Sequence, residues 1–116
     1  FFLFHERELK KYAPELTLEE LQDSCTCLIF RNLLPVGLFS YRRNGPDAQI
    51  VIDFMIPEYR DFKAGRYLYR TKRMFFKEQG IKRFLATARH PSQPRYYLKN
   101  GFVRAAGAPD GFVNEL

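Results

Sequence analysis

Three cations recur at every third position in residues 56–66: Arg60, Lys63 and Arg66. The segment lies between an apolar run and a long basic amphipathic stretch. It therefore reads as a strand end, a tight loop and a helix start. A helix start presents unpaired backbone N–H groups and the positive end of the helix dipole. Together these make a site for phosphate, and the cationic side chains reinforce it. The chemistry expected here is recognition of a phosphate-bearing ligand. The other reading of the same residues is a loop and helix with a solvated basic face.

The elements around that loop follow from pattern. Residues 6–13 have helical composition and stop at Pro14. Thr17 and Glu20 match a capping box, which predicts a second short helix over 18–23. Strands are expected at 26–30, 36–41 and 49–56, with a turn at 32–35 and a hairpin turn at Asn44-Gly45. In the third strand, alternation puts Ile50, Ile52 and Phe54 on one face and Gln49, Val51, Asp53 and Met55 on the other. A long helix over 61–77 then stops at Gly80. Its apolar face would hold Ala64, Leu68, Thr71 and Phe75, with Tyr67 and Met74 alongside. Arg66, Arg70, Arg73 and Lys77 make an opposing basic stripe. A strand at 81–88, a loop at 90–94, a short helix at 95–99, a strand at 102–106 and a sixth strand at 112–116 complete the chain. Three hairpin-linked strands followed by a βαβ crossover imply a mixed sheet in a single α/β or α+β domain over residues 1–116.

Composition bounds the function class. The net charge is +6 over 116 residues, but residues 56–104 hold 13 Lys and Arg against 3 Asp and Glu. That asymmetry points to an anionic partner for the C-terminal half: a cofactor, a nucleic acid or a lipid headgroup. The chain carries no nucleic-acid motif and its tyrosines form no obvious stacking platform, so a nucleic-acid-binding module is the weaker alternative. No apolar run reaches 18 residues, so nothing spans a bilayer. The chain begins with Phe rather than Met and reads as part of a longer one. Residues 1–4 would be the stub of a strand, or the last turn of a membrane helix. Cys25 and Cys27 are too close to bridge each other comfortably. Without His or Cys partners they make a poor metal site. Reduced, half-buried strand thiols of a cytoplasmic protein are expected, or of one at the cytoplasmic face of a membrane.

Two motifs carry a resemblance. One is Ile56-Pro57-Glu58-Tyr59-Arg60 followed by Lys63-Ala64-Gly65. The other is Tyr96-Tyr97-Leu98-Lys99-Asn100-Gly101-Phe102, and Val36-Gly37-Leu38 supports them. Over residues 26–102 the chain resembles the GNAT acyltransferase superfamily, whose members use acetyl-CoA or another acyl-CoA. The resemblance implies a mixed, mostly antiparallel sheet of five to six strands flanked by helices. It implies an acyl-CoA cosubstrate, no metal, and acyl transfer to an amine acceptor by direct attack. The rival reading is a non-catalytic domain of the same type that binds CoA, a lipid or a protein.

Site residues follow from the resemblance one by one. Arg60 and Gly65, with backbone N–H groups of Phe62, Lys63, Ala64 and Arg66, fall where the family contacts pyrophosphate. Lys63 replaces a family glycine; it either narrows the approach of phosphate or contacts it directly. His90 stands where the family often has an asparagine holding the CoA arm; the alternative is an exposed loop histidine. Tyr97 stands where the family places the tyrosine that protonates the leaving thiolate, or else it packs under the last helix. The Met55 N–H would polarise the thioester carbonyl at a splayed strand end. Asp53 is a base for the attacking amine, or a strand carboxylate bonded to backbone or an arginine.

Overall fold

Helix α1, Phe2–Tyr12, opens the chain in the computed structural model, which describes residues 1–62 and 64–116 apart from the side chains of Leu3, Asp61 and Phe62. The aromatic start is thus the first turn of a helix, not a strand, and Phe2 is buried against the sheet. No helix among the described residues is long and apolar enough to cross a membrane. Helix α2, Leu18–Gln22, is capped as expected: Thr17 Oγ1 accepts from the Glu20 N–H at 3.1 Å.

Six strands follow: β1 Cys25–Arg31, β2 Leu34–Asn44, β3 Asp47–Met55, β4 Arg83–Thr87, β5 Val103–Arg104 and β6 Gly111–Glu115. They form one sheet in the order β1-β2-β3-β4-β6-β5. Every neighbouring pair is antiparallel except β3 and β4. The parallel pair is short. It runs only from Asp47↔Arg83 to Gln49↔Leu85, beyond which β3 and β4 are unpaired with each other. β1 is an edge strand, and both cysteines on it are free and exposed rather than half-buried.

Leu38 and Phe39 are sequence neighbours on β2 and point to opposite faces. Leu38 joins α1, α2, Ile52 and Phe54 in one apolar cluster. Phe39 joins Tyr41, Ile50, Leu68, Tyr69, Phe76, Phe84 and Tyr97 in the other. Ile50 therefore faces away from Ile52 and Phe54, against strict alternation. The cause is a bulge: Ser40 pairs with Ile52 and Tyr41 with Ile50, leaving Val51 as the extra residue. Past the bulge, Asp53 comes to the same face as Ile50.

The expected single helix after β3 is broken into parts. A 3₁₀ turn, Pro57–Phe62, leads to α3, Ala64–Arg66, then a π-helical segment, Tyr67–Thr71, then α4, Arg73–Glu78. The wide turn takes up an extra residue and changes which side chains face the sheet. Leu68, Tyr69 and Phe76 are buried; Phe75, Tyr67 and Met74 are about half exposed or more. Helix α5, Gln93–Lys99, ends in a buried Asn100.

Candidate functional site

The divergence of β3 from β4 opens the sheet beside Asp53 and Met55. The Ile56 N–H donates to Val36 O at 2.9 Å, so ladder alternation turns the Met55 N–H and C=O away from β2, toward the opening. The Met55 carbonyl accepts from Arg60 Nε at 3.0 Å. The same guanidinium stacks on the Tyr12 ring, 4.9 Å from its centroid. Arg60 thus folds back over the strand end.

A cavity of about 920 Å³ occupies the opening. Among the described residues, four cations line it, Arg60, Arg66, Arg70 and Lys99, against the one carboxylate of Asp53. Met55, Ala64, Gly65, His90 and Tyr97 line it too, so the structure brings these expected site residues together. Phe62 is the last residue of the 3₁₀ turn; Lys63 lies outside the described residues. Gly65 has a packing reason to be glycine. A Cβ there would sit 2.7 Å from both Asn100 Nδ2 and the Tyr96 hydroxyl, so α3 meets α5 backbone to side chain. His90 stacks on Tyr12 with ring centroids 4.5 Å apart. Its Nδ1 accepts from the Ser92 N–H at 3.2 Å and contacts Ser92 Oγ at 2.8 Å.

At the floor, Asp53 Oδ2 accepts two hydroxyls, Tyr69 at 2.6 Å and Tyr96 at 2.7 Å. Burial raises the Asp53 pKa above the ordinary carboxylate value, and the two hydroxyl bonds oppose that shift without cancelling it. Both tyrosines are held well above the phenol range, by burial first and by the adjacent carboxylate second. Tyr97 is pushed up by the same two causes, with Arg89 pulling the other way. Its ring packs on Phe102 and Phe112 at centroid distances of 5.0 and 5.4 Å. Tyr97 is 3 % exposed, so it packs under α5 and lines the cavity at once.

A second cavity of about 290 Å³ lies against the first and shares Tyr12, Asp53, Gln93 and Tyr97 with it. Gln93 is buried, and its Oε1 accepts from the Arg89 and His90 N–H groups at 2.6 and 3.0 Å, which pins the turn into α5. Tyr12, Tyr69, Tyr96, Gln93, Arg70 and Lys99 were not singled out as site residues by sequence reasoning. Arg70 carried a signal, as one of the basic stripe. Tyr69 carried none, because only the π segment turns it inward.

Solved structures share this fold. PaiA N-acetyltransferase from Thermoplasma acidophilum, in complex with coenzyme A, superposes with a TM-score of 0.71 at 14% identity, covering 99% of this chain and 93% of that one. The fold is that of the GNAT acetyltransferases. A GNAT-family acetyltransferase from Staphylococcus aureus Mu50 gives 0.73 at 17% identity, over 97% and 86% of the two chains. One from Elizabethkingia anophelis with acetyl-CoA bound gives 0.74 at 15%, over 93% and 88%. No protein-family profile matches the chain. No curated protein matches it by sequence.

Proposed function

We propose that this GNAT-fold domain binds an acyl-CoA in the larger cavity and transfers its acyl group to an amine held in the smaller one. One observation carries the reading: two cavities of different charge adjoin along Tyr12, Asp53, Gln93 and Tyr97, beside the opening toward which the Met55 N–H turns. The larger cavity falls within the roughly 300–1,000 Å³ usual for ligand sites. Its four cations suit a polyphosphate ligand. Arg60, Arg66, Arg70 and Lys99 would hold the phosphates, with the backbone of Ala64 and Gly65. His90 would flank the arm.

A bound acyl-CoA supplies a thioester, whose carbonyl the Met55 N–H would polarise. Both tyrosine hydroxyls use Asp53 Oδ2, so Oδ1 takes neither of them. A raised pKa makes that carboxylate a stronger base than an ordinary aspartate. Asp53 takes the proton the amine gives up as its nitrogen forms the amide bond. Tyr97 gives its proton to the sulfur as the carbon–sulfur bond breaks. Exchange with solvent then returns one proton to Tyr97 and removes one from Asp53, so each turnover balances. Raised phenol pKa values keep Tyr97 protonated at neutral pH.

The test is an acetyl-transfer assay across an amine panel, reading released thiol, together with CoA affinity by calorimetry. Tyr97→Phe should lower turnover by about 10²–10⁴-fold with CoA affinity nearly intact. Asp53→Asn should cost less, because an acceptor amine can also lose its proton to water. Equal turnover of Tyr97→Phe and parent overturns the role of the tyrosine. CoA binding with no transfer to any amine favours the non-catalytic reading, for which Asp53 is a clamp joining β3 to Tyr69 and Tyr96.

A further inference from the structure

The smaller cavity differs from its neighbour in charge. Among the described residues, the larger holds four cations and one carboxylate; the smaller is lined by Glu15, Glu20 and Asp53 on one side of the balance and Arg42 and Arg89 on the other. Some of these charges already have partners. Glu20 lies 3.8 Å from Arg42, and Asp53 accepts its two tyrosine hydroxyls. Among the described residues, no carboxylate pairs with Arg89 and no cation pairs with Glu15. Arg89 is exposed at the end of β4, while its backbone is fixed by Gln93. Arg89 and Tyr97 both line this cavity. So the cavity presents carboxylates and an exposed guanidinium with no carboxylate partner among the described residues, across a space of about 290 Å³. A simple alkylamine would leave Arg89 unanswered. A long polycation would oppose it. A molecule carrying an ammonium and a carboxylate a few atoms apart satisfies both signs, and a guanidinium matches a carboxylate bidentately.

Resting on the transfer reading above, we propose that the acceptor is a small aminocarboxylate, with its carboxylate on Arg89 and its amine toward Asp53. Arg89 then acts as a specificity-determining residue and leaves the CoA cavity untouched, because it does not line it.

The experiment pairs binding with turnover. A ¹H–¹⁵N titration of the whole chain without CoA uses glycine, 4-aminobutyrate and 6-aminohexanoate as probes, each matched to the alkylamine lacking its carboxylate. At least one aminocarboxylate should shift the amides of Gln49, Thr87 and Arg89 and bind about tenfold tighter than its matched amine. Arg89→Gln should abolish that preference while CoA affinity, measured separately, stays unchanged. Turnover with acetyl-CoA should follow the same order. Equal binding of amines and aminocarboxylates overturns the proposal. So does tighter binding of spermidine, or the absence of shifts around the cavity at saturating probe. Because the titration needs no CoA, failure of CoA to bind overturns the transfer reading and leaves the aminocarboxylate result to stand or fall by itself.

Discussion

Asp53 is the residue on which both cavities turn, and its chemistry is set by what surrounds it. A carboxylate this buried resists ionising, so its folded pKa lies above the ordinary aspartate value of 3.8. Between that value and the raised one, the native chain binds more protons than the unfolded chain. Stability therefore falls as pH rises through that window and is level above it. Asn at position 53 keeps a carbonyl oxygen for Tyr69 and Tyr96 but has no charge to desolvate. Asp53→Asn should thus be more stable relative to the parent at pH 7 than at pH 4, read by thermal melts at both. A parent-to-variant difference independent of pH would mean that Asp53 ionises without cost. Much of this residue-scale picture was legible in sequence. Asp53, Met55, Arg60, Gly65, His90 and Tyr97 do line one cavity. The two hydroxyls on Asp53 were not legible, since they arrive from residues 16 and 43 positions away through tertiary packing.

At the scale of elements, two local irregularities decide the site. The β3 bulge at Val51 brings Asp53 to the face shared by Ile50 and the helical segment. The π segment turns Tyr69 inward to meet it. Neither has a plain sequence signature, because both insert one residue into a pattern whose period still looks regular. Strict periodicity accordingly placed Ile50 with Ile52, and Phe75 on the buried face. The register of the helix is open to test. Phe76 is 4 % exposed and Phe75 is 49 %. Phe76→Ala should cost about 3–5 kcal/mol of stability by denaturant unfolding, as a large buried aromatic does. Phe75→Ala should cost about 1 kcal/mol or less. The reverse order would restore the uninterrupted helix. Elements with strong local signals came through intact: the Thr17 cap, the Gly45 hairpin and the helix ending at Asn100-Gly101.

Across the whole molecule, one parallel pairing in an otherwise antiparallel sheet makes the function conceivable. β3 and β4 separate after three paired residues, and two cavities that share Tyr12, Asp53, Gln93 and Tyr97 lie beside the gap. The charge asymmetry visible along the chain resolves in space: cations of the basic half gather at the larger cavity, while Glu15 and Glu20 of the acidic half reach the smaller. Arg73 and Lys72 are elsewhere, with Arg73 on Glu115 O and Lys72 over Tyr67 and Phe75. The central claim is that CoA occupies the larger cavity and not this outer basic surface. A ¹H–¹⁵N titration of the chain with CoA tests it most directly. Perturbations should centre on the amides of Met55, Ala64, Gly65, Arg66 and Asn100. Perturbations centred on Lys72, Arg73 and Lys77 instead, or none at saturating CoA, would contradict it.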